Sequence, residues 1–357
     1  MLAVGIPTYN EVDNISRLVK SIDQAAVRLK LDIIIVNSDN NSPDGTSELF
    51  SPTHTMCSKV ALTAARAGKG RNIREIVKYV SKNTEIDSCM LIDGDITSFE
   101  QEWLEKYSHS MNNGSDYVVP NYARKIYESN TTNHFVYPLL NSLTKGKSPA
   151  QPIAGDFGLS RRFCEYLSNI VWSNSAKGYG VDIFLTMHAL LNGFSVEEIY
   201  LNKKIHKPSF DKMVGMFQEV AESYYDFLTI DRLSQPVKFE GSVIKTRFLA
   251  ADPIPENVIH QRINLAKNLY NQKNHRRTSD KWPLDNMLNS RKWSIIIKSH
   301  KQLIGNIPSH EIARSILPFY LIRVATYLKK IQTINDAKTE INQQVKIIDE
   351  ALTNTRN

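Results

Sequence analysis

Two carboxylates one residue apart, Asp93 and Asp95, stand in Leu91-Ile-Asp-Gly-Asp-Ile-Thr-Ser-Phe99, directly after the apolar run Cys89-Met90-Leu91-Ile92. Such a run reads as the end of a buried parallel strand. Ligands of open α/β sheets bind at the carboxyl ends of strands. Two hard oxygen donors there suit a Mg²⁺- or Mn²⁺-type ion completed by water and substrate phosphates, and a nucleotide diphosphate is the natural companion. The plainer alternative is that Asp93 and Asp95 cap the turn and helix that follow.

Four further places carry chemistry. Arg66-Ala-Gly-Lys-Gly-Arg71 sets glycines around Lys69 at a helix start. Backbone N–H groups, a helix dipole and an ammonium then meet at one spot suited to anionic oxygen, although the spacing and the Lys-Ser/Thr pair of a P-loop are missing. In Gln151-Pro-Ile-Ala-Gly-Asp-Phe-Gly-Leu-Ser-Arg-Arg162, Gly155 allows close backbone approach and Asp156 can accept from a hydroxyl; a plain turn fits equally well. Asp182, in Gly178-Tyr-Gly-Val-Asp182, falls in the first turn of a helix, where the dipole favours a carboxylate with or without a function. His206 follows a strand immediately, and by itself reads as an exposed loop histidine.

The elements that must position these residues are legible in outline. Leu2 to Ile6 is a strand, and Pro7-Thr-Tyr-Asn-Glu11 turns into a helix bearing Val12, Ile15, Leu18, Val19 and Ile22. Leu31 to Val36 is a second buried strand, ending in the polar run Asn37 to Thr46, where Pro43, Asp44 and Gly45 are turn formers and Thr46 is the expected helix cap. Two strands that end in polar loops on one edge are the layout of a doubly wound sheet with a nucleotide crevice. Strands are also expected at 58–62, 117–121 and 196–201, with helices at 103–110, 132–143 and from 210 onward. Beyond 234 come a Pro-broken stretch, an Asn/Lys/Arg-rich segment (268–281) and helices at 284–304, 309–331 and 335–352. The expected class is α/β, with one domain over 1–233 and a basic, mainly helical region over 234–357.

A chain of 357 residues, 41% of them hydrophobic, can bury a large core. Cys57, Cys89 and Cys164 show no ligand spacing, which argues against a disulfide framework or a zinc site and for a reducing compartment. The apolar stretch Ile316 to Ile322, interrupted by Pro318 and followed by Arg323, is too short to span a bilayer. No export signal is visible, so a cytoplasmic protein is expected. Charge is uneven: 257–357 holds 17 Lys+Arg against 7 Asp+Glu, or +10, which leaves −3 of the total +7 for the first 256 residues. Such a tail is a candidate for peripheral contact with an anionic membrane. Nucleic acid is not expected, since no aromatic-interleaved basic motif accompanies it, and solvated helix faces are the plainer reading.

In combination, Ile6-Pro-Thr-Tyr-Asn-Glu11, Asn41-Ser-Pro-Asp-Gly-Thr46 and Asp93-Gly-Asp95 resemble nucleotide-sugar glycosyltransferases of the GT-A fold. More narrowly, four blocks resemble the mannosylglycerate synthases and glucosyl-3-phosphoglycerate synthases: Gly68-Lys-Gly70, Ile92 to Trp103, Gln151 to Asp156, and Gly178 to Asp182 with Lys204-Ile-His206 after it. The resemblance covers residues 2 to about 210. It implies a Rossmann-like mixed sheet and metal-dependent hexosyl transfer from a GDP- or UDP-sugar to a small acidic acceptor, with a homodimer as a candidate assembly. Pro7, Thr8, Glu11, Asp39, Gly68, Lys69, Asp93 and Gly94 would bind the nucleotide sugar; Asp95, His206 and Asp93 would serve the metal. Gly155 and Asp156 would meet the acceptor, and Asp182, Asp156 and Lys69 would be catalytic. Relatives often carry paired Asp where this chain has Asp39-Asn40, which leaves the base open between UDP and GDP.

The implied chemistry is departure of a nucleotide diphosphate from the anomeric carbon, with metal and Lys69 stabilising the leaving oxygens. Retention without a placed nucleophile means same-face attack by the acceptor hydroxyl; only Asp156 and Asp182 are offered for a covalent or base role. Arg161 and Arg162, beside Asp156, are candidates to pair with an acceptor carboxylate or phosphate. Two readings compete: an inverting family 2 transferase acting on a lipid or polysaccharide, which would usually carry a Gln-X-X-Arg-Trp motif that this chain lacks, and a non-catalytic binding protein using the basic tail.

Overall fold

The computed structural model describes residues 1–206, 213–230, 237–240, 248–250, 254–273 and 287–353. The boundary expected at 233/234, the basic residues of 274–281 and the helix start at 284–286 lie outside that set. By compactness the chain forms two units, each assembled from separate stretches: 1–123, 149–210 and 233–245 in the first, 124–148, 211–232 and 246–357 in the second.

The first unit is built on a sheet in the order β3-β2-β1-β4-β6-β5-β7-β8, where β1 is Leu2–Thr8, β2 Ile33–Asp39, β3 Ser58–Thr63, β4 Ser88–Leu91, β5 Tyr117–Lys125, β6 Gly158–Ser160, β7 Ser195–Lys203 and β8 Lys238–Glu240. β1, β2 and β4 lie inside the sheet, buried along their whole length, and are largely apolar, with β2 turning polar only over Asn37, Ser38 and Asp39 at its carboxyl end. β1 to β4 pair in parallel, as do β5, β7 and β8. Among the described residues, β6 alone opposes its neighbours, β4 and β5. The carboxyl ends of β1, β2, β4 and β7 therefore share one edge, and the amino end of β6 joins them there.

Amphipathic helices cover the sheet. In α1 (Ile15–Leu29) the buried positions include Ile15, Leu18, Val19 and Ile22; in α3 (Lys69–Lys82) they include Ile73, Ile76, Val77 and Val80. The short α2 spans Thr46–Phe50, α4 Gln101–Asn112, α6 Arg161–Asn169 and α7 Val181–Leu191. Thr46 is the first helical residue of α2 rather than its cap: Gly45 holds the cap position at φ 88°, while Asp44 accepts from the Thr46 N–H at 3.0 Å.

The second unit contains a five-residue π-helical stretch, Thr132–Val136, running into α5 (Tyr137–Leu143), so the single helix expected at 132–143 is underwound in its first half. The strand β9 (Phe248–Leu249) pairs with the last residues of β5, Arg124 and Lys125. The described residues of this unit also form α8 (Met213–Ile230), α9 (Glu256–Lys273), α10 (Ser290–Lys301), α11 (Ser309–Lys330) and α12 (Ile334–Thr353). Its centre is polar as well as aromatic. Fully buried Arg323 meets Glu340 at 2.9 Å and donates to Gln344 Oε1 at 2.6 Å. The Gln344 amide in turn donates to the Asn133 carbonyl of the π-helical turn at 2.8 Å. No helix among the described residues is long and apolar enough to cross a membrane.

Candidate active site

Loops at the shared sheet edge assemble a charged cluster. Asp93 follows β4, and each of its oxygens meets a different ammonium: Oδ1 lies 2.8 Å from Lys69 Nζ and Oδ2 lies 2.9 Å from Lys204 Nζ. Lys69, the first residue of α3, also reaches Asp182 Oδ1 at 3.1 Å. Lys204, one residue past β7, spends its remaining donors on Asp156 Oδ2 at 2.7 Å and the Ala154 carbonyl at 2.8 Å. Its side chain is only 4% exposed, and that of Asp156 is fully buried. Asp156 is further fixed by the Asp93 N–H at 2.8 Å and the Tyr122 hydroxyl at 2.7 Å.

Three acids and two ammoniums share this largely buried setting. Against the penalty of burial, Lys204 and Lys69 hold Asp93 well below the usual carboxylate range. Burial works against the Lys69 cation too, but Asp182 and Asp93 hold it above its ordinary value. Burial raises Asp182, with the Lys69 charge opposing. Lys69 is brought here by close backbone packing: a Cβ on Gly68 or Gly70 would strike the carbonyls of Lys177 or Ala176, and the Gly70 N–H donates to the Gly178 carbonyl at 3.1 Å. Gly155 sits at φ 97°, where a Cβ would collide with the Asp93 carboxylate and lie 2.9 Å from Lys204 Nζ. Its glycine is thus required twice over.

Asp95 and His206 form the solvent-facing flank, with Asp95 Oδ2 3.9 Å from His206 Nδ1 and side-chain exposures of 26% and 32%. Burial, then the neighbouring Asp93 charge, raises Asp95. Their loops are tied together by the Thr97 N–H donating to the Ile205 carbonyl at 2.9 Å and the Ile205 N–H donating to Ser98 Oγ at 2.8 Å. Among the described residues no group of three or more acidic, His or Cys side chains is assembled for a metal. One carboxylate and one imidazole fit an ion whose other positions go to diphosphate oxygens and water, not a closed protein cage. Both oxygens of Asp93 are already engaged by lysines.

Pro7, Thr8 and Glu11 lie beside Gly94, whose missing side chain leaves room for the Pro7 carbonyl, the Thr8 methyl and the Glu11 stem. The polar 41–46 loop holds the chain here: Ser42 Oγ, Thr46 Oγ1 and Asp44 Oδ2 accept from the N–H groups of Asn10, Glu11 and Val12 at 2.9, 2.8 and 3.1 Å. Asp39 is buried and accepts from Thr8 Oγ1 at 2.8 Å and from Ser42 N and Oγ, both at 2.7 Å, so it builds this loop. Arg161 and Arg162 are not brought to the cluster. At the carboxyl end of α3 the Arg161 guanidinium donates to the carbonyls of Asn83, Ile86 and Ser81 at 2.5, 2.9 and 3.1 Å, and Arg162 pairs with Asp116 at 3.2 Å. Antiparallel β6 separates them from Asp156: its amino end lies at the site edge, its carboxyl end at the opposite one. Read as one loop, 151–162 concealed that separation.

Four positioning residues were not singled out from the sequence. Lys204 is one. Asn14 donates to the Gly94 and Ile96 carbonyls at 2.7 and 2.9 Å, and Arg17 donates to the Ile96 carbonyl at 2.8 Å; both precede or open α1 and clamp the Asp93–Ser98 loop. Asn40 accepts from the Gly68 N–H at 3.2 Å and donates to the Arg66 carbonyl at 2.8 Å, joining the β2 loop to the lysine loop. The place of Asn14 immediately before the first helical residue, Ile15, was the available signal for it; Lys204 carried none beyond its place two residues before His206.

Residues 3–163 match the family model described as glycosyl transferase family 2. Over that stretch the chain is similar to glycosyl transferase family 2 domains. A curated dolichol-phosphate mannosyltransferase of Pyrococcus furiosus is 28% identical over 46% of this chain and 47% of its own length. A mannosylglycerate synthase of Selaginella moellendorffii is 25% identical over 40% of this chain and 34% of its own. The chain thus spans less than half the length of these curated relatives. In fold it is similar to glucosyl-3-phosphoglycerate synthase from Mycobacterium tuberculosis, solved with Mn²⁺, UDP-glucose and phosphoglyceric acid. The TM-score is 0.51 at 18% identity, covering 65% of this chain and 81% of that one. The GT-A arrangement expected of the family 2 domain is the one observed.

Proposed function

We propose that this chain moves a hexose from a nucleotide diphosphate sugar, of the GDP-mannose or UDP-glucose type, to a small acidic acceptor such as glycerate or 3-phosphoglycerate, retaining the anomeric configuration. The observation that carries the reading is the convergence of Lys69 on Asp93 and Asp182 beside the Asp95–His206 pair. Relatives named for sugar transfer to glycerate or to a lipid phosphate, and a fold neighbour holding Mn²⁺ with UDP-glucose, support it.

The arriving diphosphate competes with Asp182 and Asp93 for the Lys69 ammonium, which stabilises charge developing on the leaving oxygens. Lys204 keeps Asp93 and Asp156 compensated while Lys69 turns to the phosphate. A divalent ion held by Asp95 and His206 would supply Lewis-acid stabilisation of the same leaving group. Asp182, relieved of Lys69, faces the positive charge developing on the sugar. Gly155 lines the acceptor side, and Asp156, buried beneath it with both oxygens engaged by Asp93, Tyr122 and Lys204, positions that loop.

A second reading, inverting transfer to a lipid phosphate, is favoured by the dolichol-phosphate mannosyltransferase match and by the placement of Arg161 and Arg162 away from this edge. Nucleotide diphosphate release from UDP- and GDP-sugars, with and without glycerate, 3-phosphoglycerate or a polyprenyl phosphate, in Mg²⁺, Mn²⁺ or EDTA, separates the two. Release that needs metal, rises with a small acid and disappears in Asp95→Ala is expected. Stimulation by the lipid phosphate alone, with an inverted product by NMR, selects the second reading. No release and no nucleotide binding under any condition rejects both.

A further inference from the structure

The helix α10 buries Ser290, Trp293, Ser294, Ile297 and His300. At 3.6 residues per turn the opposite face presents Arg291, Ile295, Ser299 and Gln302 in one stripe, with Lys292 and Lys298 beside it. Ile295, at the centre of that face, is 66% exposed, and Met287, just before the helix, is 44% exposed. Residues 287–302 contain Arg291, Lys292, Lys298 and Lys301 and no Asp or Glu. Among the described residues no carboxylate pairs with Arg291, Lys298 or Lys301.

We propose that this face of α10 is a docking surface for an anionic lipid bilayer. An aliphatic centre ringed by cations suits a membrane interface: the isoleucine and methionine enter the boundary of the acyl chains while the lysine and arginine heads stay among phosphates. A nucleic acid would meet the cations but leave Ile295 against water, and the stripe offers no aromatic ring on which a base could stack. With four cations and two apolar side chains the contact is reversible, which suits a protein that visits a surface.

The full chain is sedimented with phosphatidylcholine vesicles containing or lacking phosphatidylserine. Binding only to the anionic vesicles, weakening as salt rises, is expected. At about 1 kcal/mol per basic residue near an anionic surface, R291Q/K298Q should lower partitioning roughly 30-fold. Ile295→Asn should lower it further at high salt, where charge is screened. These surface variants should keep the wild-type Tm, so a loss of binding is not a loss of fold. Equal partitioning into neutral and anionic vesicles, wild-type binding by both variants, or retention on a duplex DNA probe with none on the vesicles would overturn the proposal.

Discussion

The cluster around Asp93 depends on individual atoms. Lys204→Met removes the cation from buried Asp156 and half-buried Asp93; loss of one partner of a buried pair costs about 3–5 kcal/mol, to be read by urea denaturation. Adding Asp156→Asn removes one of the stranded charges, so the double variant should recover part of that loss, a coupling that a double-mutant cycle measures. Gly155→Ala combines a left-handed backbone with a clash on the Asp93 carboxylate. It should cost about 1–3 kcal/mol from the backbone alone and depress kcat more than donor KM, because it moves charged groups rather than removing a donor contact. Increased activity in Gly155→Ala would contradict that close approach.

At the scale of elements, the Asp93–Ser98 loop is held by the start of α1. Asn14→Ala leaves the Gly94 and Ile96 carbonyls without their amide donor and should destabilise the chain by about 1–3 kcal/mol, measurable as a lower Tm. Glu198 of β7 anchors the 149–156 loop, accepting from the Ala150 N–H at 2.5 Å and from Asn121 Nδ2 at 3.1 Å. Burial pushes its carboxyl up to about 7. A folded carboxyl raised above its unfolded value of 4.5 favours folding fully below pH 4.5, and that contribution is lost as pH rises through about 7. The loss is on the order of 3 kcal/mol at about 1.4 kcal/mol per unit. Asp93, held low, has the opposite sign: its contribution is present above its unfolded value and lost as the solution becomes more acidic. Unfolding free energies of the wild type and Glu198→Gln between pH 4.5 and 8 should therefore diverge, with only the wild type carrying the Glu198 slope. Parallel curves would refute the assignment.

For the whole molecule, ligand binding and unit stability are linked. A nucleoside diphosphate with Mg²⁺ or Mn²⁺, present at 100 times its Kd, should stabilise the native chain by about 2.7 kcal/mol, read as a rise in Tm that Asp95→Ala diminishes. In the second unit, Arg323→Met strands Glu340, which among the described residues then keeps Lys330 and Ser290 as polar partners. A cost of about 3–5 kcal/mol should appear in thermal unfolding, with nucleotide affinity at the first unit's sheet edge serving as the control.

The sequence by itself determined the α/β class and the strands at both metal-candidate loops, and it drew attention to Asp93, Asp95, Lys69 and Asp182, because apolar runs and glycine-flanked polar turns are local signals. It also carried the family likeness over its first half. Only tertiary structure decided that Lys204 neutralises Asp93 and Asp156, that Asp39 and Arg161 are spent on holding loops, and that Glu198 titrates out of its usual range. The three-residue β6 was too short to give a periodic signal, yet its reversed direction sorts Asp156 to the site and the two arginines away from it. Likewise, 124–148 and 211–232 join the helical unit through contacts distant in sequence. Partnership across loops depends on register and strand direction, which neither composition nor spacing encodes.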